Sequence, residues 1–505
     1  MLFNSYEFLY LFLPVCLAGY FLFGRFGTRV GVAWLAGMSF VFYARSGIGF
    51  IWILAASVLF NYASGRLILS LTDQSRRTAA KVATGVAISA NLCLLGYFKY
   101  SGFAIENAAE LLGLPPATWS VVLPVGISFY TFTQIAFLVD TYNGRVHRQA
   151  GFIEYALFVT YFPHLIAGPI LHHAEMIPQF LRKQTTRFSI DNVSIGAAIF
   201  VMGLAKKILI ADGIAPYADA VFGAKGAISF GDAWIGTLAY TLQLYFDFSG
   251  YCDMAIGLSR MFNIDLPLNF YSPYKATSII EFWRRWHMTL SRFLRDYLYI
   301  PLGGNRRGAT RRNINLMVTM ALGGLWHGAA WTFIIWGVLH GVFLLINHVF
   351  RRAAPKWLTT VPGFPVFARL LTFGCVAVAW VFFRAETTHG ALHILSTMVL
   401  PTRGIHPIVP LVASEAGFVV AWIAVGLFIV WGLPNSQQIF RLPFHPSLGG
   451  EGVGADRVPI LEPRGWALSI MSWRPTSLTA VIYGTVFAVS LMFFVRTARF
   501  LYFQF

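Results

Sequence analysis

Long runs of uncharged residues recur along this 505-residue chain and limit the folds open to it. About 20 residues of α-helix cross a hydrocarbon core roughly 30 Å thick. Hydrophobic residues make up 57% of the chain and charged residues only 12%, outside the usual balance of a soluble domain. Long runs occupy residues 6–24, 46–65, 82–98, 120–139, 232–246, 329–347, 370–383, 413–433 and 477–495, and shorter ones occupy 30–44 and 152–171. The sequence therefore predicts an all-α, polytopic integral membrane protein with about eleven or more transmembrane helices, plus re-entrant and amphipathic interfacial helices.

The run at 152–171 does not fit a simple crossing of the bilayer. Basic residues flank it on both sides, including Arg148 and Arg182, so the preference of positive charge for cytoplasmic loops gives it no orientation. It also contains Pro163 and Pro169 within YFPHLIAGPI. Non-helical backbone is tolerated at membrane depth where protein buries it. A re-entrant or broken segment and a full crossing both remain open.

Metal ligands and nucleophiles have no recognisable pattern. The four cysteines stand singly, and His172 and His173 have no third ligand at a suitable spacing, so we predict that both histidines are loop residues. The chain contains no P-loop, no G-x-S-x-G and no H-E-x-x-H motif. These observations argue against nucleotide hydrolysis, serine hydrolysis and zinc proteolysis, and predict no metal, no tightly bound cofactor and no nucleic-acid partner.

The segment EFWRRWHMTLSRFLRDYLYIPLGGNRRGATRR, residues 281–312, is strongly basic and cannot cross a bilayer. Between Arg284 and Arg312 it carries eight arginines and one acidic residue, out of a net charge of +17 for the chain. At about 100° per residue, its aromatic and leucine side chains share one arc and its arginines lie opposite. We expect one amphipathic helix that ends near Pro301 and has His287 at the edge of the apolar arc.

A second histidine, His327, lies 40 residues later in the uncharged stretch LGGLWHGAAW. Titratable residues at membrane depth are costly and usually mark a functional path, although a neutral imidazole hydrogen-bonded to another helix is the alternative. Burial would keep the imidazole neutral and able to accept a proton. His287 and His327 could therefore converge at one end of a cavity. Trp326 and Trp331 flank His327 and either wall this site or contribute ordinary packing.

These two stretches resemble the membrane-bound O-acyltransferase superfamily, in the branch that acts in alginate O-acetylation and teichoic-acid D-alanylation. FWRRWHMTLSRFLRDYLYIPLGGNR and GGLWHGAAWTFIIWGVLHG carry the resemblance. It extends over LPVGISFYTFTQIAFLVDTY, FPHLIAGPI, FDFSGYCDMAIGLSRMFNIDLPLNFYSPY, WVFFRAET and FLYFQF. It is densest over residues 120–345. The chain is thus predicted to be one domain over residues 1–505, with a polar loop of uncertain family character at 442–475.

The resemblance implies a helical bundle, thinned at its centre, with a tunnel that links a cytoplasmic donor to an outer acceptor. It identifies His327 as the principal catalytic histidine and His287 as the second. It also implies acetyl-CoA as donor substrate, a periplasmic acetyltransferase partner and an exopolysaccharide acceptor, in a bacterial inner membrane. Guanidinium groups bind phosphate in bidentate geometry, so Arg284, Arg285, Arg306 and Arg307 could hold the donor phosphates or could instead anchor the chain to membrane lipids.

Two other functions remain open from the sequence. One is an acyltransferase of the same superfamily with a different acceptor, such as teichoic acid, peptidoglycan, cellulose or a protein. The other is a transporter of anionic polymer, which would use the same positive charge and the same intramembrane polar residues without bond chemistry.

Overall fold

The computed structural model describes residues 1–45, 47–115, 119, 121–146, 150–224, 226–400, 416–442, 466–494 and 500–501. Helices dominate this part of the chain, and it contains no β-strand. Within the described residues, five helices are long and apolar enough to cross a membrane: Ile48–Asp73, Arg77–Leu111, Ile190–Phe222, Trp331–Ala353 and Phe364–Arg384. Shorter apolar helices are Phe8–Gly24, Gly417–Gly432 and Ser477–Met492. The predicted all-α, multi-pass membrane fold is confirmed, whereas the number of about eleven spans is not.

The span Ile190–Phe222 was absent from the sequence prediction because charged residues interrupt it. Lys206 and Lys207 lie in its middle, where the helix widens to a π-helical turn. The structure neutralises both lysines: Lys206 Nζ lies 2.6 Å from Asp253 Oδ2, and Lys207 Nζ lies 2.6 Å from Asp247 Oδ1. Both aspartates belong to the 32-residue helix Phe230–Met261. Paired charges are much less costly to bury than isolated ones, so a charged run can still lie within a long apolar helix.

The remaining principal helices are shorter or carry polar residues. They are Thr28–Ala44, Ile127–Tyr142, Phe152–Thr160, His173–Phe180, Ile279–Trp283, Met288–Leu294, Gly308–His327 and Thr388–Val399. The described residues divide into two compact units, one of Met1–Phe200 with Met254–Pro267 and the other of Val201–Asp253 with Leu268–Phe505. The prediction of one domain over 1–505 stays a prediction. Of the predicted polar loop 442–475, residues 443–465 lie outside the described residues, and the described remainder includes the helix Trp466–Met471.

In the first unit, the run at 152–171 is broken rather than continuous. Its helix Phe152–Thr160 ends where YFPHLIAGPI begins, and residues 161–171 form buried turns. Side chains and neighbouring backbone groups form hydrogen bonds with some of the polar groups of this segment. Ser39 Oγ accepts a hydrogen bond from Phe162 N at 3.2 Å, and His164 Nε2 lies 3.2 Å from Phe158 O. The structure therefore agrees with the broken-segment interpretation and shows how the polar backbone is buried.

In the second unit, two helices form a close hairpin, Gly308–His327 followed by Trp331–Ala353. Glycines permit the close approach: a Cβ on Gly324 would collide with Phe333 O, and one on Gly337 would collide with Met320 O. Small residues bring helix backbones together in this way in membrane proteins. The connection of the hairpin, residues 328–330, directly follows His327.

The predicted amphipathic helix over residues 281–301 is not one helix. Ile279–Trp283 ends before His287, and Met288–Leu294 begins after it and continues as a π-helical turn to Tyr299. His287 has left-handed backbone angles, φ 43° and ψ 53°. Backbone bonds from Met288 N to Asn269 O and from Tyr271 N to Arg285 O stabilise this break. Helical periodicity alone could not show it, because residues 269–271 form these bonds from outside the segment.

Candidate active site

His327 is the last residue of the helix Gly308–His327, at the turn of the hairpin. Its side chain is buried, with 6% of the residue exposed. Three aromatic rings have centroids 4.9, 5.1 and 5.1 Å from the imidazole centroid: Trp326, Trp336 and Phe383. The Trp336 ring is nearly perpendicular to the imidazole, at 89°. We call these three rings the aromatic wall of His327.

His287 lies in the break between the two short helices and is fully buried. Its Nδ1 is 3.1 Å from Asn269 Oδ1, which also accepts hydrogen bonds from Thr289 N at 3.2 Å and Thr289 Oγ1 at 3.0 Å. The Asn269 Nδ2 atom donates to Cys252 Sγ at 3.4 Å, which supports this orientation of the amide. An acceptor at Oδ1 requires a proton on Nδ1 of His287, so in the neutral ring Nε2 carries the lone pair.

Burial lowers the pKa of His287, which lies outside the five candidate spans, to about 3. The imidazole is therefore neutral at physiological pH, because desolvation disfavours the charged form. The neutral state and the bond to Asn269 together specify one tautomer. A histidine with one specified tautomer can accept a proton or a hydrogen bond at one defined nitrogen.

The structure brings the two predicted histidines together. Their ring centroids are 6.2 Å apart, and the Trp326 ring lies within 6.1 Å of the His287 ring as well as next to His327. A glycine-backed hairpin positions one histidine, and a broken helix positions the other. Two buried imidazoles at this separation can both contact one small reacting group between them, as acid–base catalysis requires.

The four predicted arginines do not form one group. Arg284, Arg306 and Arg307 are exposed, whereas Arg285 is buried, with 3% of the residue exposed. Arg285 Nη2 donates to Glu281 Oε1 at 2.7 Å, and its Nη1 donates to Tyr271 O at 3.3 Å. Arg285 is therefore committed to an internal ion pair, and its assignment to the donor phosphates is corrected here. The side chains of the other three arginines are exposed, so solvent-borne or membrane phosphates can approach them.

The two predicted tryptophans also differ. Trp326 is buried against both histidines, in agreement with its assignment to the site. Trp331 begins the following helix and is 56% exposed. Its place at the start of a membrane-spanning helix is typical of an aromatic residue at the bilayer interface. The aromatic wall of His327 includes Trp336, from the next turns of the same helix, which the sequence analysis did not single out.

Three residues next to the histidines were missed from the sequence, Asn269, Trp336 and Phe383, and a fourth, His340, packs against Trp336. His340 is fully buried, and its Nδ1 accepts a hydrogen bond from Trp283 Nε1 at 3.3 Å. Its ring lies 4.9 Å from that of Trp336. Each residue lies within a stretch that supports the family resemblance, but only the folded chain shows which members of those stretches meet the histidines.

Comparisons with known proteins identify the family of this chain. The sequence model of the membrane-bound O-acyltransferase (MBOAT) family matches residues 144–383, which include both histidines. A peptidoglycan O-acetyltransferase of Helicobacter pylori is 43% identical over 425 residues, which cover 79% of this chain and 80% of that protein. A probable alginate O-acetylase of Azotobacter vinelandii is 44% identical over 403 residues, covering 79% and 78% of the two chains.

A more distant relative is a teichoic acid D-alanyltransferase of Bacillus subtilis. It is 27% identical over 276 residues, which cover 52% of this chain and 69% of that protein. The extensive sequence identity to the two O-acetyltransferases shows that this chain belongs to the same family. The helical fold with several apolar spans is consistent with a membrane-bound member of that family. This protein belongs to the membrane-bound O-acyltransferase family, in the branch of the alginate O-acetylases, and is a multi-pass membrane O-acyltransferase.

Proposed function

We propose that this protein transfers acetyl groups from acetyl-CoA for the O-acetylation of an exported polysaccharide, with alginate as the foremost acceptor. The observation that carries the chemistry is the buried pair His287 and His327, 6.2 Å apart between their ring centroids. The related alginate O-acetylases support the choice of acetyl group and acceptor. The cytoplasmic origin of the donor and the bacterial inner membrane as location belong to the same proposal.

In this proposal, the reaction forms a C–O bond and breaks a C–S bond. A hydroxyl oxygen, either of the polysaccharide or of a partner protein that relays the acetyl group to it, attacks the thioester carbonyl. His327 takes the hydroxyl proton and passes it to the departing thiolate of coenzyme A. A positioned general base typically contributes about 10²–10⁴ in rate. The aromatic wall excludes water from the base and provides π-electron faces for the transient imidazolium. His287, with its tautomer specified by Asn269, assists by binding the substrate or His327 at Nε2.

The exposed Arg284, Arg306 and Arg307 would contact the donor phosphates in this scheme. Their exposure allows a charged nucleotide to reach them without prior desolvation of the arginines. Interface anchoring by anionic lipid remains the competing role. The partner is proposed to be a periplasmic acetyltransferase that completes transfer to the polysaccharide. The transporter alternative has lost its support, because the chain belongs to a family of acyltransferases.

A second acceptor, peptidoglycan, is favoured by one specific observation. The peptidoglycan O-acetyltransferase of Helicobacter pylori matches this chain as well as the alginate O-acetylases do, at 43% identity over the same share of the chain. Sequence identity therefore does not separate the two polymers. Both present a sugar hydroxyl as the acceptor, so the same histidine chemistry serves either.

One experiment tests the donor and one the acceptor. Purified full-length protein in detergent or lipid discs should release free thiol from acetyl-CoA, and loss of that release in His327→Ala protein would confirm the assignment. Release of equal size from the variant would contradict it. Deletion of the gene should remove O-acetyl esters from exopolysaccharide if alginate or a similar polymer is the acceptor, whereas loss of acetylated muropeptides alone would establish peptidoglycan instead.

A further inference from the structure

One carboxylate and two imidazoles meet in the first unit, at the end of the helix Ile127–Tyr142. Asp140 Oδ2 lies 2.8 Å from His172 Nε2 and 3.6 Å from His173 Nδ1. One ligand atom from each of the three side chains falls within 4.8 Å of the others. The sequence analysis predicted that His172 and His173 are loop residues and found no third ligand at a suitable spacing; the structure agrees for His172, which lies outside the helix, and differs for His173. His173 begins the helix His173–Phe180, His172 is its N-cap, and the third group comes from 32 residues earlier.

The burial of this cluster is unusual for two imidazoles beside a carboxylate. Asp140 is fully buried and 7% of His173 is exposed. The Nδ1 atom of His173 has no hydrogen-bond partner in the described structure, although it faces Asp140. Buried polar atoms nearly always have a partner, so such an atom beside a carboxylate indicates a ligand.

We propose that Asp140, His172 and His173 bind a divalent transition metal ion, with zinc as the foremost candidate. Two imidazole nitrogens and one carboxylate oxygen form a ligand set that suits zinc. Zinc–ligand bonds of about 2.0–2.2 Å separate neighbouring ligand atoms by roughly 3.4 Å in tetrahedral geometry. The separation of Asp140 from His173 is close to this value, and that of Asp140 from His172 must increase by about 0.6 Å. The two histidine nitrogens lie within 4.8 Å of each other, so small rotations of the imidazole side chains complete the geometry. The side chain of His172 is 21% exposed, which gives an ion a route of entry.

Arg145 offers a competing account of the same carboxylate. Its Nη1 donates to Asp140 Oδ1 at 2.8 Å, so Asp140 could simply pair with Arg145 and His172. The ion-pair account involves Asp140 Oδ1 and one imidazole, and it does not explain why His173 Nδ1 is buried without a hydrogen-bond partner. The metal account uses Oδ2 and both imidazoles, with Arg145 as the outer partner of the carboxylate. Metal-bound carboxylates are commonly hydrogen-bonded in this way.

A metal here would have a structural consequence within the first unit. It would connect the end of the helix Ile127–Tyr142 to the start of His173–Phe180, directly after the broken segment of residues 161–172. Non-helical backbone buried in a membrane protein has fewer regular hydrogen bonds to stabilise it. A metal clamp at the exit of that segment would restrict its alternative conformations.

Metal content is the direct test. Full-length protein, purified with a tag that lacks histidine and treated with a chelator, should take up about one zinc ion per chain, measured by elemental mass spectrometry. Asp140→Asn, His172→Ala and His173→Ala should each lose this zinc. The matched control is His389→Ala, which removes an exposed histidine of the second unit and should keep it. Equal uptake by the ligand variants, or no stoichiometric uptake by the wild type, would overturn the proposal.

Two further measurements separate the metal from the ion pair and do not depend on the folding of the ligand variants. Arg145→Gln should still retain zinc, because the three proposed ligands are unchanged, although loss of the outer hydrogen bond to Asp140 Oδ1 should weaken its binding by about 10–100-fold at most. Loss of zinc in a folded Arg145→Gln protein would contradict the proposed geometry. Wild-type protein loaded with cobalt should show the visible absorption of a tetrahedral nitrogen–oxygen site. A wild-type protein without that absorption would leave the ion pair as the correct account.

Discussion

The histidine pair and the arginine-rich loop belong to the same stretch of chain, residues 282–327, yet their surroundings are opposite. His287 and His327 are buried among aromatic rings. Arg306 and Arg307 lie on an exposed loop. The sequence assigned all of them to one site because they are near in sequence and each carries a functional group. The difference in burial separates two tasks: proton transfer needs a group shielded from water, whereas recognition of a charged donor needs a group that solvent can reach.

The largest effect should come from His327. We expect His327→Ala to reduce acyl transfer by about 10²–10⁴ in kcat, because the variant loses the general base and retains an apolar helix end. Thiol release from acetyl-CoA by purified protein measures this. His389→Ala, an exposed histidine elsewhere in the same unit, should leave the rate unchanged and serves as the control. Near-normal activity in folded His327→Ala protein would remove this residue from the site.

Arg285 should affect stability before it affects catalysis. Replacement by Gln leaves Glu281 without its buried ion-pair partner, and breaking a buried pair typically costs about 3–5 kcal/mol. We expect less folded protein and a lower melting temperature, with little change in the apparent donor affinity of the protein that does fold. Arg284→Gln, at the exposed neighbouring position, is the matched comparison for stability. A stable Arg285→Gln protein with weakened donor binding would return Arg285 to the donor site.

His287 should give a graded result. We expect His287→Gln to retain partial activity and His287→Ala to lose about 10² in kcat, less than His327→Ala. The left-handed backbone at position 287 makes His287→Asn a useful third variant, since Asn tolerates these angles better than most residues. Full activity of His287→Phe protein would show that His287 contributes only to packing. Activity of His287→Gln as low as that of His327→Ala would mean that both histidines move protons.

The exposed arginines should give the smallest effect. Single changes of Arg284, Arg306 or Arg307 to Gln should raise the apparent KM for acetyl-CoA a few-fold, about 0.5–1 kcal/mol each, and leave kcat at saturating donor nearly unchanged. Added salt should weaken donor binding to the wild type more than to the variants. An unchanged KM together with altered membrane insertion, measured with topology reporters, would instead favour lipid anchoring.

Much of the fold was predictable because a bilayer restricts the choices. Uncharged runs such as 370–383 and 477–495 correspond to the helices Phe364–Arg384 and Ser477–Met492. The sequence analysis missed the span Ile190–Phe222 for a physical reason. Lys206 and Lys207 interrupt its uncharged run, and their ion pairs with Asp247 and Asp253, which are distant in sequence, lower the free-energy cost of burying them. Charge counts along one segment cannot include partners from another.

The sequence by itself determined the all-helical membrane fold, the family and the two histidines, since each depends on local composition or on motifs within short stretches. Tertiary structure alone decided the break at His287, the place of Trp336 beside His327 and the separation of Arg285 from the exposed arginines. It also decided the meeting of Asp140 with His172 and His173. The physical reason is common to all four: hydrogen bonds, ion pairs and burial depend on residues from other segments, and helical periodicity records only the segment in which a residue lies.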